Sequence, residues 1–311
     1  MSAIAIEGLT KRFGKFTALA GFDLAVPRGA IFGFLGPNGA GKTTTLRIMT
    51  GLAHATAGRI VIEGVPVGGG QRPPIGYLPD TPSFYGWMTA REFLRYVADL
   101  HDLEQPPIDA VLERVGLGDA ARKRVGGFSR GMKQRLGLAQ ALLPEPRVLL
   151  LDEPVSALDP AGRKALLDTM SELRGELTVF FSTHILSDAE RICDEVGILD
   201  RGRLVLQARR DDLLARYARP IFEIDATPDD IPRLSALAEQ FRALPWVERA
   251  RLEGARLRLT VNDVDAARRE VLPLLVGLPV SRFEMLGATL EDIFLGLTNH
   301  AGGPAGPEVA P

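Results

Sequence analysis

Residues 36–45, GPNGAGKTTT, set three glycines around one lysine. Glycine tolerates positive φ and lets a backbone approach a ligand closely, at a cost in conformational entropy. The spacing Gly36, Gly41, Lys42, Thr43 is G-x-x-x-x-G-K-T. In that pattern backbone N–H groups cradle phosphates, the lysine reaches the β- and γ-phosphates, and the threonine hydroxyl is a Mg²⁺ ligand. Pro37, Asn38, Gly39, Ala40 and Thr44 complete the cradle. The bland alternative is a turn that happens to hold Gly and Lys. The flanks argue against it, because AIFGFLG (30–36) reads as a buried strand and TTTLRIMTGL as a helix stopping at Gly51.

Three further stretches carry chemistry. VLLLDEP puts Asp152 and Glu153 at the C-terminal end of an apolar strand, the edge where α/β sheets bind ligands. Adjacent carboxylates repel unless their tasks differ. Asp152 is placed to hold Mg²⁺, and Glu153 to orient and deprotonate an attacking water. FFSTHIL brings His184 to the end of another strand, where it suits sensing or stabilising a γ-phosphate, whereas His54, His101 and His300 read as structural. GFSRGMKQRLGLAQALL begins with Ser129 as an N-cap, and its helix N-terminus is a second anion site. The nearby Arg122, Lys123, Arg124, Lys133 and Arg135 lack interleaved aromatics, so they read as a solvated face and no nucleic-acid partner is expected.

The elements that position these residues form three stretches. Residues 1–80 are strand-rich. From Thr81 a helical insertion over about 84–143 is expected, including TAREFLRYVADL with Thr89 and Glu92 as a capping box and Phe93, Val97 and Leu100 on one face. Strands return in RVLLLDEP and LTVFFSTH, and the alternation implies a largely parallel sheet. After about residue 215 the order becomes β-α-β-β-α-β, with IFEIDA as a half-exposed strand, EG as a hairpin turn and TLEDIFLGLT as the last helix. This predicts a small ferredoxin-like α+β domain over 216–298, and the Gly/Pro-rich 299–311 a disordered tail.

Composition bounds the function. With 311 residues, net charge −2 and 46% hydrophobic residues, the chain has no global pull toward nucleic acid or anionic lipid. No apolar run approaches the ~18 residues of a membrane span. The N-terminus lacks a signal peptide's apolar region, so a cytoplasmic location is expected. Work at a membrane would then require a separate partner. The one cysteine, Cys193, reads as a small buried hydrophobe.

Over residues 3–215 the chain resembles the ATP-binding subunits of ABC transporters, through GPNGAGKTT, FSRGMKQR, LLLDEP, SALD (156–159) and STH (182–184) in this order. The resemblance implies a P-loop α/β cassette with a helical subdomain, using ATP and Mg²⁺. It also implies that Phe13 stacks on adenine, that Asp159 communicates between subunits, and that two cassettes, as a homodimer, pair head to tail. Ser129 and Gly131 would then touch the ATP of the opposite subunit. The partner it implies is a polytopic membrane permease, with the chain peripheral on the cytoplasmic face. Two departures stand out. GYLPD has Asp80 where the family usually has Gln, and the signature reads Ser-Arg-Gly-Met. Asp80 can still approach Mg²⁺ but cannot donate an amide hydrogen bond. FSRGMKQR followed by a small C-terminal domain looks like the exporter branch that includes antibiotic-resistance ATPases. A soluble cassette of translation or DNA repair, which would show two cassettes or a coiled-coil split, and a non-hydrolysing regulatory cassette are the alternatives. Intact Lys42, Asp152, Glu153 and His184 argue against the last.

Overall fold

Strand-forming and helix-forming patterns alternate along the chain, and in the computed structural model they fold into two compact units, Met1–Arg210 and Asp211–Pro311. Residues 2–156, 158–216, 220–287, 289–291 and 293 are described. Ala157 of the SALD loop, the expected tail and the end of the last expected helix lie outside the described residues.

In the first unit, β1 (Ser2–Phe13) and β2 (Phe16–Pro27) form a hairpin, followed by β3 (Ile31–Leu35), α1 (Lys42–Met49), β4 (Ala57–Ile62), β5 (Val65–Pro66) and β6 (Ile75–Leu78). The helical insertion holds α2 (Ala90–Leu100), α3 (Ile108–Arg114) and α4 (Arg130–Leu142). The capping box forms, with Thr89 accepting from the Glu92 N–H and Glu92 from the Thr89 N–H. Phe93 and Val97 are buried as expected, but Leu100 is 66% exposed, because it is the last residue of α2 and the helix has already left the core. Then come β7 (Val148–Asp152), α5 (Pro160–Glu172), β8 (Thr178–Thr183), α6 (Leu186–Ile192), β9 (Glu195–Asp200) and β10 (Arg203–Arg209).

These strands make two sheets. One is antiparallel, in the order β2-β1-β4-β5. The other runs β10-β9-β3-β8-β7-β6 and is parallel except at β9/β10. Between them Ile4, Ile6 and Leu24 of the first sheet meet Phe32, Phe34 and Phe180 of the second, with Leu46 and Met49 of α1. The rings of Phe32 and Phe180 stack 5.4 Å apart. β3, β7 and β8 are buried along their whole length, as parallel strands covered on both faces must be. Parallel neighbours end on the same side. The register pairs Leu35 with Thr183 and Asp152 with Ser182, so the loops after β3, β7 and β8 emerge together.

After α7 (Arg210–Arg216), the second unit contains β11 (Ile221–Ala226), α8 (Ile231–Arg242), β12 (Val247–Glu253), β13 (Arg256–Val261), α9 (Val264–Leu274) and β14 (Val280–Leu286). The antiparallel order β12-β13-β11-β14 is the ferredoxin-like sandwich. Phe222, Ile224, Leu234, Phe241, Trp246, Leu257 and Leu259 form its core. β11 is not half-exposed as its alternation predicts. Glu223 is buried, because Arg258 Nε lies 3.0 Å from its Oε1 and Arg256 covers it from beside.

Candidate active site

The glycine loop joins β3 to α1, and two of its glycines are required by space. A Cβ at Gly36 would lie 2.2 Å from the Leu199 carbonyl oxygen. Gly41, the N-cap of α1, has φ 111° and a Cβ there would lie 2.6 Å from Leu19 Cδ2. The loop wraps its own lysine. Lys42 Nζ donates to the carbonyls of Gly36 at 2.7 Å and Pro37 at 3.2 Å, and only 6% of the side chain is exposed. Thr43 and Thr44 follow in the first turn of α1, whose leading N–H groups and dipole favour an anion.

The two carboxylates after β7 take different environments. Asp152 is buried, although its place at the strand end suggested a carboxylate emerging at the edge. Thr43 Oγ1 donates to its Oδ1 at 3.2 Å and Ser182 Oγ donates to the same oxygen at 2.7 Å. Burial pushes the Asp152 carboxyl up, those two hydrogen bonds pull it down, and the charges of Asp80 and Glu153 add to the rise. Glu153 turns away into the left-handed region, φ 47°, with its N–H donating to Ser182 Oγ at 2.9 Å. A non-glycine residue held there is strained, and such strain concentrates at functional sites. The Glu153 carboxylate lies between Lys42 Nζ, 3.3 Å away, and His184 Nδ1, 2.9 Å away.

Lys42, Thr43, Asp152, Glu153 and His184 therefore share one network. Ser182 is the residue that sequence reasoning missed: it binds Asp152 and orients Glu153. Its signal was a hydroxyl inside the otherwise apolar run VFFS, where an unpaired polar group would be costly. Tyr77 of β6 lies within the field of Asp152 and Asp80. Burial pushes its phenol up to about 12, with the negative charges of Asp152 and Asp80 adding. Asp80 itself is exposed and reaches Asp152 through its charge.

The other expected residues sit apart from this network. Phe13 ends β1 and is 56% exposed, and Lys11 Nζ lies 4.8 Å from its ring centroid. Ser129 caps α4, accepting from the Met132 N–H at 3.2 Å. Asp159 caps α5, accepting from the Gly162 N–H at 3.3 Å. Gly131 lies beside the Asp159 loop, because a Cβ on it would stand 3.8 Å from Leu158 Cδ2. That is ordinary contact, so nothing among the described residues demands glycine at 131. Cys193 is fully buried as expected, and burial pushes its thiol well up.

A metal fits the hydroxyl and carboxylate at 43 and 152. They converge on one spot and are hard oxygen donors, the kind Mg²⁺ takes, usually from one or two carboxylates with phosphate oxygens and water. Among the described residues no cluster of three or more His, Cys, Asp or Glu could cage an ion without such help.

Comparison with known proteins bears on the family and the fold. Residues 19–156 match the family model "ABC transporter", and residues 209–298 the model "ATP-binding protein DrrA1-3-like, C-terminal domain". The ABC transporter ATP-binding protein YxlF of Bacillus subtilis is 40% identical over 302 residues, 94% of this chain and 98% of that protein. The bacitracin transport ATP-binding protein BcrA of Bacillus licheniformis is 43% identical over 219 residues, 68% of this chain and 72% of its own. Among solved structures, an ATP binding subunit of an ABC transporter matches with TM-score 0.62 and 32% identity, covering 70% of this chain and 93% of that one.

Proposed function

This chain belongs to the ATP-binding proteins of ABC transporters, ATPases that power a separate permease, and from that premise we propose how its residues divide the work. The observation that carries the reading is Glu153 held between Lys42 and His184, beside an Asp152 that is hydrogen-bonded to Thr43. ATP phosphates take the place of the Gly36 and Pro37 carbonyls and of Glu153 around Lys42. Residues 36–44 supply N–H groups to those phosphates, and Phe13 stacks on adenine through its exposed ring. Thr43 and Asp152 would hold Mg²⁺, with Asp80 adding charge nearby, and the ion would supply neutralisation of phosphate charge. Once Lys42 faces phosphate, Glu153 accepts a proton from the attacking water, and His184 orients that water and the γ-phosphate.

The second half of each site comes from a second cassette, an identical chain in this proposal. Among the described residues Gly131 has room for a side chain, which supports a demand for glycine from outside its own subunit, as the approach of the partner's ATP would impose. Ser129 presents the N-terminus of α4 to that nucleotide, and Asp159 faces across the same interface. The cassette ends near residue 215, with 216–298 as an accessory domain. Among the described residues no helix is long and apolar enough to cross a membrane, so a polytopic permease supplies the path. The exposed aromatics Tyr85, Trp87 and Tyr96 pack together shortly after Asp80 and form its docking surface. The chain then sits peripherally on the cytoplasmic face. Relatives named for bacitracin and lantibiotic transport support export of drugs, lipids or other small molecules as the coupled work.

Mixing two inactive variants tests the shared site. Ser129→Arg blocks the signature and Lys42→Ala disables the loop, so each homodimer has two broken sites. In a mixed dimer both lesions fall on one site and the other is intact. Hydrolysis should recover to about half of wild type per mixed dimer if sites act independently. No recovery, with mixed dimers isolated by two affinity tags, would refute the arrangement.

A further inference from the structure

Two helices lead away from the site. α5 starts beside its cap Asp159, and α6 starts at Leu186, just after His184. One ion pair ties their first turns together. Arg163 Nε donates to Asp188 Oδ1 at 2.7 Å, and its Nη2 lies 2.6 Å from the same oxygen and 3.3 Å from Ser187 Oγ. Asp188 is 2% exposed, and its Oδ2 has no hydrogen-bond partner among the described residues. Burial raises the Asp188 carboxyl, Arg163 pulls it back, and the charge of Glu153 adds to the rise, so this carboxylate lies within the field of Glu153. A buried carboxylate with one satisfied oxygen depends on keeping its cation. The second link between these helices, Arg191 to Asp168 at 2.7 Å, is exposed at both ends and holds little.

The path from Asp188 to His184 is short and stiff. The Asp188 N–H donates to the Ile185 carbonyl at 3.2 Å, and the Ile185 N–H donates to Thr183 Oγ1 at 2.9 Å. Thr183 is fully buried at the end of β8. On the other side, the Arg163 N–H donates to the Asp159 carbonyl at 2.9 Å. Arg163 and Asp188 thereby join the Asp159 turn to the turn that bears His184.

We infer that Arg163 and Asp188 form a positioning strut, which sets the contact of His184 with Glu153 and ties it to the placement of Asp159. The inference rests on the roles of His184 and Glu153 proposed above. Neither strut residue is part of the nucleotide network; both act through His184.

Basal ATPase of the full chain and its ATP affinity by calorimetry test the strut. Arg163→Gln and Asp188→Asn should each lower kcat about tenfold while the ATP dissociation constant stays within about twofold. Arg163→Lys keeps a charge against Asp188 but loses the planar fork, so it should fold and recover only part of the rate. In a His184→Ala background, Arg163→Gln should add no further loss, because the strut has nothing left to position. Should Arg163→Gln fail to fold, Arg163→Lys and Asp188→Asn carry the same comparison. Additive losses in the His184→Ala background, affinity falling in step with kcat, or unchanged kcat in the single variants would each overturn the strut. Undiminished kcat in His184→Ala alone would instead overturn the role of His184, and the strut with it.

Discussion

Glu153→Gln separates chemistry from binding more sharply than any other change in this site. The amide keeps the shape and removes the charge. That charge faces Lys42 Nζ at 3.3 Å, with the two side chains 13% and 6% exposed. At an effective dielectric constant of about 20, such a pair attracts by about 5 kcal/mol before desolvation. Desolvation offsets most of this, leaving about 1 kcal/mol that ATP must overcome to claim the lysine. The variant should therefore bind Mg·ATP as tightly as wild type or up to about fivefold tighter. Hydrolysis should fall by about 10²–10⁴, the usual loss on removing a general base. Calorimetry measures the first effect and phosphate release at saturating Mg·ATP the second. Near-normal turnover would remove Glu153 from the role of base. Affinity more than about tenfold weaker would refute the competition between Glu153 and phosphate for Lys42.

Lys42→Ala should act in the opposite way, weakening ATP binding itself by deleting the cation that the phosphates face; unchanged affinity by calorimetry would contradict the loop assignment. Asp80→Ala should impair permease-stimulated ATPase more than ATP binding, and equal stimulation in variant and wild type would show that this departure from Gln is silent. Cys193 gives a pH test with a definite sign. Its thiol is raised in the folded state, so above about pH 8.5, the ordinary thiol value, the unfolded chain loses a proton that the folded chain keeps. Its contribution to stability is therefore full below that pH and lost as pH rises toward the folded value, a loss that Cys193→Ala should remove in denaturant titrations at increasing pH.

The sequence by itself determined the family motifs and most of the elements. Glycine spacing, a run of aliphatics ending in Asp152 and Glu153, and Ser129 before a helical period are local signals, and local backbone geometry and burial periodicity enforce them. The β-α-β-β-α-β order of the second unit was legible for the same reason. Tertiary structure decided what no local pattern encodes. The strand order β3-β8-β7 brings Ser182 to Asp152 and His184 to Glu153, across 30 and 31 residues of sequence. Glu223 looked solvent-facing by alternation, yet arginines from a neighbouring strand bury it. Asp188 is buried on α6, where α5 delivers Arg163 to it. Pairing between distant segments is set by packing and charge together, and those act only once the chain has closed on itself.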